Sequence, residues 1–275
     1  MTSFKSDILA NKIALITGAG GLLGPRHGLA LSEVGAKLIL IDINKDGLIK
    51  AEKLIKSKNK NAIIEKFVVD ITKLREIKNL KNSLMKKSII VDVLINNAAI
   101  NPKMQKINSE VTGRVEDYDM YEWQKELDVG ITGSFICSRI FGQEMAKKGS
   151  GVILNISSDL AIRAPDQRVY SPTESFDNIT SYKPIGYSIV KTAMIGMTKY
   201  LAEYWGYKNV RVNALLPGGV YNKQPKILVD NVKKRTLLNR WANINEYEDA
   251  IVFLCSDASA YMTGQSIVMD GGRSV

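Results

Sequence analysis

The chain has few residues of the types that build disulfides and metal centres. Its 275 residues include two cysteines, Cys137 and Cys255, and one histidine, His27. Each cysteine lies in an apolar helical pattern with no metal-ligand spacing around it, which predicts free buried thiols, no metal site and a reducing, cytoplasmic environment. His27 follows a glycine-rich loop, and we expect it to pack or to face solvent rather than to catalyse.

Long apolar runs are also missing. Residues 1–12 have mixed polarity without the apolar centre of a signal peptide, and no later run is long enough to cross a membrane. Hydrophobic residues make up 45% and charged residues 24%, as in ordinary globular proteins, and no linker, repeat or low-complexity stretch breaks the pattern. We therefore expect one domain over 1–275 and no membrane partner.

Acidic residues are too few to balance the basic ones, and the net charge is +10. Most of the excess lies in residues 45–87, which hold twelve Lys and one Arg against five acidic residues. These lysines are not interleaved with aromatic residues in the way that a surface for stacking nucleic-acid bases requires. We interpret the stretch as a solvated face and expect no nucleic-acid partner.

Short apolar runs alternate with helical patterns, which predicts an α/β fold with a doubly wound parallel sheet. Strands are expected at 12–17, 37–42, 62–69, 89–95, 152–156, 210–215 and 266–269. Helices are expected at 22–34, 46–56, 73–85, 121–147, 187–204, in a segment that ends near 240, and at 246–256.

A glycine-rich turn from Gly18 through Gly21 to Gly24 joins the first strand to the first helix. Strand, glycine turn and helix in this order let a pyrophosphate approach backbone amides at the helix N-terminus. Asp42, at the end of the second strand, can accept hydrogen bonds from the adenosine ribose and would repel a 2′-phosphate. Since neither Leu23 nor Ile43 supplies an arginine for that phosphate, NAD is favoured over NADP.

Tyr187 and Lys191 lie four positions apart on a predicted helix, so their side chains leave the same face one turn apart. An ammonium roughly 5 Å from a phenol favours the phenolate and would lower its pKa from about 10 by roughly 2 units. Tyr187 could then exchange a proton near neutral pH. Ser158, directly after the strand at 152–156, brings a second polar group.

Seven motifs in this order resemble the short-chain dehydrogenase/reductase family over residues 13–272. They are Thr17-Gly18 to Gly24, Asp70, Asn96-Asn97-Ala98, Ser158, Tyr187 with Lys191, Pro217-Gly218 and Asp270-Gly271-Gly272. The resemblance implies a Rossmann-type sheet of about seven strands in the order 3-2-1-4-5-6-7, and a homo-oligomer, either tetramer or dimer. It also implies that Tyr187 transfers the proton, Lys191 tunes it and holds the nicotinamide ribose, and Ser158 binds the substrate oxygen.

Together with the glycine turn, the resemblance implies a set of cofactor contacts along the strand ends. They are Gly18, Gly21, Leu22, Leu23, Asp42, Asp70, Ile71, Asn97, Ala98, Ala99, Tyr187, Lys191, Pro217, Gly218, Val220 and Asn222.

Three features depart from the family pattern. Leu22 stands where compact members usually carry glycine, and the gap between Ser158 and Tyr187 is wide; both features are similar to the nucleotide-sugar branch of the family. Because the sequence stops at Val275, we expect no C-terminal sugar-binding domain of that branch. Gly130 stands where the family usually has an asparagine that anchors a proton-relay water, which puts that relay in doubt.

We interpret the polar insert at about 161–184 as a substrate lid. Asp159, Arg163, Gln167 and Arg168 are the expected substrate contacts. An arginine pair suits a phosphate or a carboxylate, although solvent-facing loop charge explains both arginines equally well.

These residues predict an NAD-dependent oxidoreductase acting on a polar, sugar-derived alcohol or ketone. The pattern from Asn155 to Tyr221 is also similar to oxidoreductases of flagellin-glycan and surface-sugar biosynthesis. Two alternatives stay open. One is a nucleotide-sugar epimerase or dehydratase that uses NAD within one turnover, and the other is a cofactor-sensing protein without catalysis.

Overall fold

Seven parallel strands form one sheet in a computed structural model that describes residues 4–5, 7–102 and 112–275. The strands are β1 (Ile13–Thr17), β2 (Lys37–Asp42), β3 (Ile64–Val68), β4 (Val93–Asn96), β5 (Gly151–Ile156), β6 (Val210–Pro217) and β7 (Ser266–Met269). Their order is β3-β2-β1-β4-β5-β6-β7, and every neighbouring pair is parallel. The predicted fold class and strand order are confirmed.

Eight α-helices connect these strands within the described residues. They are α1 (Gly24–Glu33), α2 (Lys45–Lys58), α3 (Leu74–Lys86), α4 (Met120–Leu127), α5 (Ser134–Lys148), α6 (Ile185–Gly206), α7 (Lys226–Lys234) and α8 (Glu248–Cys255). None of them is both long and apolar enough to cross a lipid bilayer.

Apolar side chains fill a layer on each face of the sheet, which explains why its strands read as nearly continuous apolar runs. Cys255 lies in one layer and Cys137 in the other, both as buried free thiols, as predicted. His27 on α1 is also buried, so of the two expected environments it takes the packed one.

The ends of three elements differ from the expected ones. α1 begins at Gly24 rather than at 22, because Pro25 suits the first helical turn and the preceding residues form the glycine turn. β4 begins at Val93 rather than at 89, because the backbone of Ile89 still closes the end of α3 by donating to the Leu84 carbonyl. α7 ends at Lys234 rather than near 240.

The long helix expected at 121–147 is wrong as a single α-helix. Residues Asp128–Gly133 form a π-helical turn between α4 and α5. Two glycines in this turn allow close packing, since a Cβ on Gly130 would lie 2.2 Å from Val190 Cγ1 and a Cβ on Gly133 would lie 2.6 Å from Ile71 Cγ1. Such π-turns are frequent at functional sites.

Candidate active site

The glycine turn after β1 lies where the strand order reverses, between β1 and β4. Gly18 has a φ of +61° and approaches β4 so closely that a Cβ would lie 2.7 Å from Ala98 Cα. The Asn97 side chain holds this approach by donating to the carbonyl oxygens of Thr17 and Gly18. No side chain caps α1 at Leu23, so the first backbone N–H groups of α1 are available to donate hydrogen bonds to an anion.

Asp42 joins the end of β2 to the glycine turn. Its Oδ2 accepts from the Gly20 amide at 2.9 Å, and its Oδ1 accepts from the Asn44 amide at 2.8 Å. Gly20 was missed among the predicted contacts. A Cβ on Gly20 would lie 2.9 Å from the Gly47 backbone, so only glycine fits there. The carboxylate is therefore held beside a turn with no side chain in the way, which fits a dinucleotide ribose.

The other predicted cofactor residues lie at the same edge of the sheet, where the strands end. Ala98 and Ala99 follow β4, and Pro217 ends β6. Asp70 follows β3, and its carboxylate accepts from the Thr72 amide and hydroxyl at 2.9 and 2.7 Å.

Four predicted contacts differ in exposure. Leu22 is 45% exposed, and Asn222 is also exposed. Ile71 and Val220 are buried, and the Ile71 side chain packs against Gly133.

Ser158, Tyr187 and Lys191 are brought together because α6 is tied to the end of β5. Lys191 Nζ donates to the Ile156 carbonyl at 2.7 Å, and Ser157 Oγ donates to the Lys191 carbonyl at 2.6 Å. The Lys191 ammonium lies 5.6 Å from the centroid of the Tyr187 ring. Ser158 forms a hydrogen bond with the Tyr187 hydroxyl.

Burial controls the ionisation of this site. It raises the pKa of Tyr187 to about 12, although the hydrogen bond with Ser158 acts in the opposite direction. It also lowers the pKa of Lys191 to about 8, with a further decrease from the charge of Lys183. In the chain by itself, desolvation of the phenolate is thus the largest effect on the Tyr187 pKa, and the tuning by Lys191 that the family resemblance implies stays a prediction.

Next to Ser158 lies a buried cluster of one carboxylate and two guanidinium groups. Ser158 Oγ donates to Asp159 Oδ1 at 3.0 Å. The Nη1 atoms of Arg163 and Arg273 lie 3.7 and 3.6 Å from Asp159 Oδ2. The side chain of Arg273 is only 9% exposed, and its Nε has no hydrogen-bond partner among the residues that the structure describes. Asp270 also acts electrostatically on Arg273, so a second carboxylate lies near the two guanidinium groups.

Arg163 and Arg168 have different surroundings, and the exposed position of Arg168 fits the alternative of solvent-facing loop charge. Arg168 lies in the exposed part of the insert, where Asp166, two residues earlier, binds its Nε at 2.9 Å. Arg273, rather than Arg168, lies with Arg163 on the Asp159 carboxylate. No motif at the end of the sequence indicated this. Gln167 has a structural position, since its side chain accepts from the Lys183 amide at 2.8 Å and donates to the Lys183 carbonyl at 3.2 Å.

The insert packs against α7. Asp166 Oδ2 accepts from Arg235 Nε at 2.8 Å, and Glu174 Oε2 accepts from Arg235 Nη1 at 2.8 Å. The Asn231 side chain donates to the Ser171 carbonyl at 3.0 Å. A cavity of about 230 Å³ lies behind α7, and Arg273 is part of its lining.

Metal ligands do not cluster at this site. Within residues 4–5, 7–102 and 112–275, no group of three or more His, Cys, Asp or Glu residues is placed to hold a metal ion.

Comparison with known proteins gives matches along nearly the whole chain. A family model described as enoyl-(acyl carrier protein) reductase matches residues 23–274. Trans-4-hydroxycyclohexanecarboxylate dehydrogenase from Sinomonas cyclohexanicum is 31% identical, over 98% of this chain and 95% of that protein. 2-Dehydro-3-deoxy-D-gluconate 5-dehydrogenase from Bacillus subtilis is 30% identical, over 96% and 95%.

A solved structure shows the same arrangement of elements. It is a short-chain dehydrogenase from Leptospira borgpetersenii with bound NAD+, 29% identical, which matches with a TM-score of 0.82 over 97% of this chain and 94% of that one. Together with the seven-stranded sheet and the site at its carboxyl edge, these matches show that the chain belongs to the short-chain dehydrogenase/reductase family of NAD(P)-dependent oxidoreductases.

Proposed function

We propose that the chain is an NAD-dependent oxidoreductase that transfers a hydride between nicotinamide and a polar alcohol or ketone. The observation that carries the proposal is the meeting of Ser158, Tyr187 and Lys191 at the carboxyl edge of the sheet, beside the glycine turn. A non-catalytic sensor of NAD would have no need to hold these three side chains together.

In the direction of alcohol oxidation, Tyr187 accepts the proton of the substrate hydroxyl, and Ser158 holds the substrate oxygen. Lys191 supplies positive charge that favours the phenolate. Bound NAD supplies the acceptor for the hydride that leaves the alcohol carbon.

The preference for NAD over NADP is supported by the surroundings of Asp42. Its carboxylate lies where a 2′-phosphate would be repelled. Arg26, on the first helix, instead pairs with Glu248 at 3.8 Å.

We propose a sugar-derived substrate that carries an acidic group. Arg163 and Arg273 lie on the Asp159 carboxylate that Ser158 binds, and guanidinium groups bind carboxylates and phosphates. Two relatives with at least 30% identity are named for substrates with a carboxylate, while a third, 30% identical, is a 3-oxoacyl-(acyl-carrier-protein) reductase. A role in glycan biosynthesis stays a prediction.

The proposal treats 1–275 as one NAD-binding unit with a lid at about 161–184. It also includes a homo-oligomer, in which the outer faces of α5 and α6 meet their copies. Phe135, Tyr200 and Tyr204 on those faces are exposed, and the two tyrosine rings stack at 6.2 Å.

The test is to follow NADH absorbance with purified protein, NAD and a panel of neutral polyols, sugar acids and phosphosugars. NADPH formation from NADP is followed in parallel. We expect absorbance to increase with an acidic member of the panel, and Tyr187→Phe to abolish it while NAD still binds. Tyr207→Phe, at an exposed position directly after the same helix, is the matched control. Turnover that survives Tyr187→Phe would contradict the catalytic assignment. NAD binding with a changed sugar product and no net NADH would instead indicate redox within one turnover.

A further inference from the structure

Lys183 is a buried lysine directly before α6. It is 8% exposed, and its Nζ lies 4.1 Å from the centroid of the Tyr187 ring. The same Nζ donates to Asn101 Oδ1. The backbone of Lys183 is held on both sides by the Gln167 side chain. Both ends of the residue are thus held while its ammonium rests on the face of the ring.

Glu126 on α4 brings a negative charge close to the Lys183 ammonium. Glu126 is 1% exposed, and its Oε1 accepts from the Tyr118 hydroxyl. Its Oε2 has no hydrogen-bond partner within the part of the chain that the structure describes. A Cβ on Gly186 would lie 2.2 Å from that oxygen, so the glycine before Tyr187 makes room for the carboxylate.

Gly130 lacks the amide side chain that the family resemblance implies at this position. The expected relay needs an asparagine there, but the Val190 side chain already fills the space that a Cβ on Gly130 would need. A group that replaces the missing asparagine in supporting proton transfer must therefore come from another element.

Most of the groups around Tyr187 disfavour its phenolate, which a nearby positive charge would stabilise. Asp159 and Tyr170 both raise its pKa, as does burial, while Ser158 lowers it. Lys191 is the second cation, at 5.6 Å from the ring centroid.

We propose that Lys183 is a positioning residue for the proton transfer: its ammonium, held against the Tyr187 ring, acts with Lys191 to favour the phenolate. A cation over the face of an aromatic ring is attracted to it, and this attraction grows when the ring carries negative charge. The proposal goes beyond the proposed function and rests on Tyr187 as the residue that transfers the proton.

The charge state of Lys183 is compatible with this role. Burial lowers its pKa to about 8, and the nearby Glu126 acts in the opposite direction. The ammonium is therefore populated at neutral pH, where the phenolate is needed. Lys183 also lowers the pKa of Lys191, so the two lysines influence each other's charge.

The test is a carbon NMR titration of the full chain labelled with ¹³C at the tyrosine Cζ, with saturating NAD. The Tyr187 resonance is identified by its absence in Tyr187→Phe. We expect Lys183→Met to raise the midpoint of that resonance by about one unit or more, since one nearby positive charge is lost. Lys199→Met, on the exposed face of α6, should leave the midpoint unchanged.

The variant Lys183→Arg, which keeps the charge, distinguishes an electrostatic role of Lys183 from a purely structural one. We expect this variant to stay close to the wild-type midpoint. If Lys183→Met does not fold, Lys183→Gln takes its place beside the arginine variant.

An unchanged midpoint in the neutral variant would overturn the proposal. So would an equal shift in the arginine and neutral variants, or a wild-type Tyr187 that remains a phenol up to about pH 10. The readout needs no substrate, so a failure of the proposed oxidoreductase activity would be seen separately in the NADH assay.

Discussion

Val190 occupies the space that any side chain at position 130 would need. The two residues lie on α6 and on the π-helical turn before α5, and a Cβ on Gly130 would come within 2.2 Å of Val190 Cγ1. Gly130 does not have a positive φ, so the constraint is this contact and not the backbone. The glycine thus sets how closely α6, with its tyrosine and lysine, approaches the neighbouring helix.

This contact predicts a coupled change in stability. Gly130→Ala should lower the free energy of unfolding by about 1–3 kcal/mol, because the added Cβ overlaps Val190. In a Val190→Ala background, Gly130→Ala should lower the free energy of unfolding by at least about 1 kcal/mol less than in the wild type. The reason is that both Cγ atoms of residue 190 are gone. Urea unfolding of the four proteins measures the difference. Equal costs in the two backgrounds would show that the overlap is not the cause.

Cofactor preference should depend on Asp42 and its exposed neighbour Ile43. Asp42→Ala combined with Ile43→Arg should weaken NADH binding and tighten NADPH binding, each by about tenfold or more, since a repulsive charge is replaced by an attractive one. Ile43 is 70% exposed, so an arginine has room there. Calorimetric titration gives both dissociation constants. Ile43→Arg alone is the control, and an unchanged NADH to NADPH ratio in the double variant would contradict the role of Asp42.

His27 should make stability depend on pH. Burial lowers its pKa from 6.5 to about 4, so the unfolded chain binds the proton more readily between these values. The stabilisation is fully present above about pH 6.5 and is lost as pH falls towards 4, by about 3 kcal/mol in total. His27→Leu should flatten this part of the profile in melting experiments at pH 7 and about pH 4.5. Since the chain has no other histidine, an equally steep profile in the variant would locate the dependence in carboxylates.

The insert proposed as a lid should be held by Arg235, which binds Asp166 and Glu174 at 2.8 Å each. Arg235→Met should speed hydrogen exchange of amides in residues 167–178 by about tenfold, because two charge-assisted hydrogen bonds are lost. Arg168→Met is the control for a contact inside the insert, since Arg168 binds both oxygens of Asp166 from only two residues away. Hydrogen exchange that increases equally in both variants would mean that Arg235 stabilises the insert no more than Arg168 does.

Much of the fold could be read from the order of short local patterns. Buried parallel strands need apolar runs, and the glycine turn needs residues without a Cβ, so both leave a mark in the sequence. Tyr187 and Lys191 were found because a helix brings positions four apart to the same face. The ends of β4 and α7, and the π-turn inside the long helix, were missed because packing against other elements decides them.

The sequence by itself determined the alternation of strands and helices, the glycine turn with Asp42, and the Ser158, Tyr187 and Lys191 set. Only the tertiary structure placed Arg273 beside Arg163 and Lys183 against Tyr187, because these contacts join segments far apart in the chain or depend on the path of a loop. Burial is likewise a property of the folded chain, and it is burial that moves the pKa of Tyr187 upwards and that of Lys183 downwards.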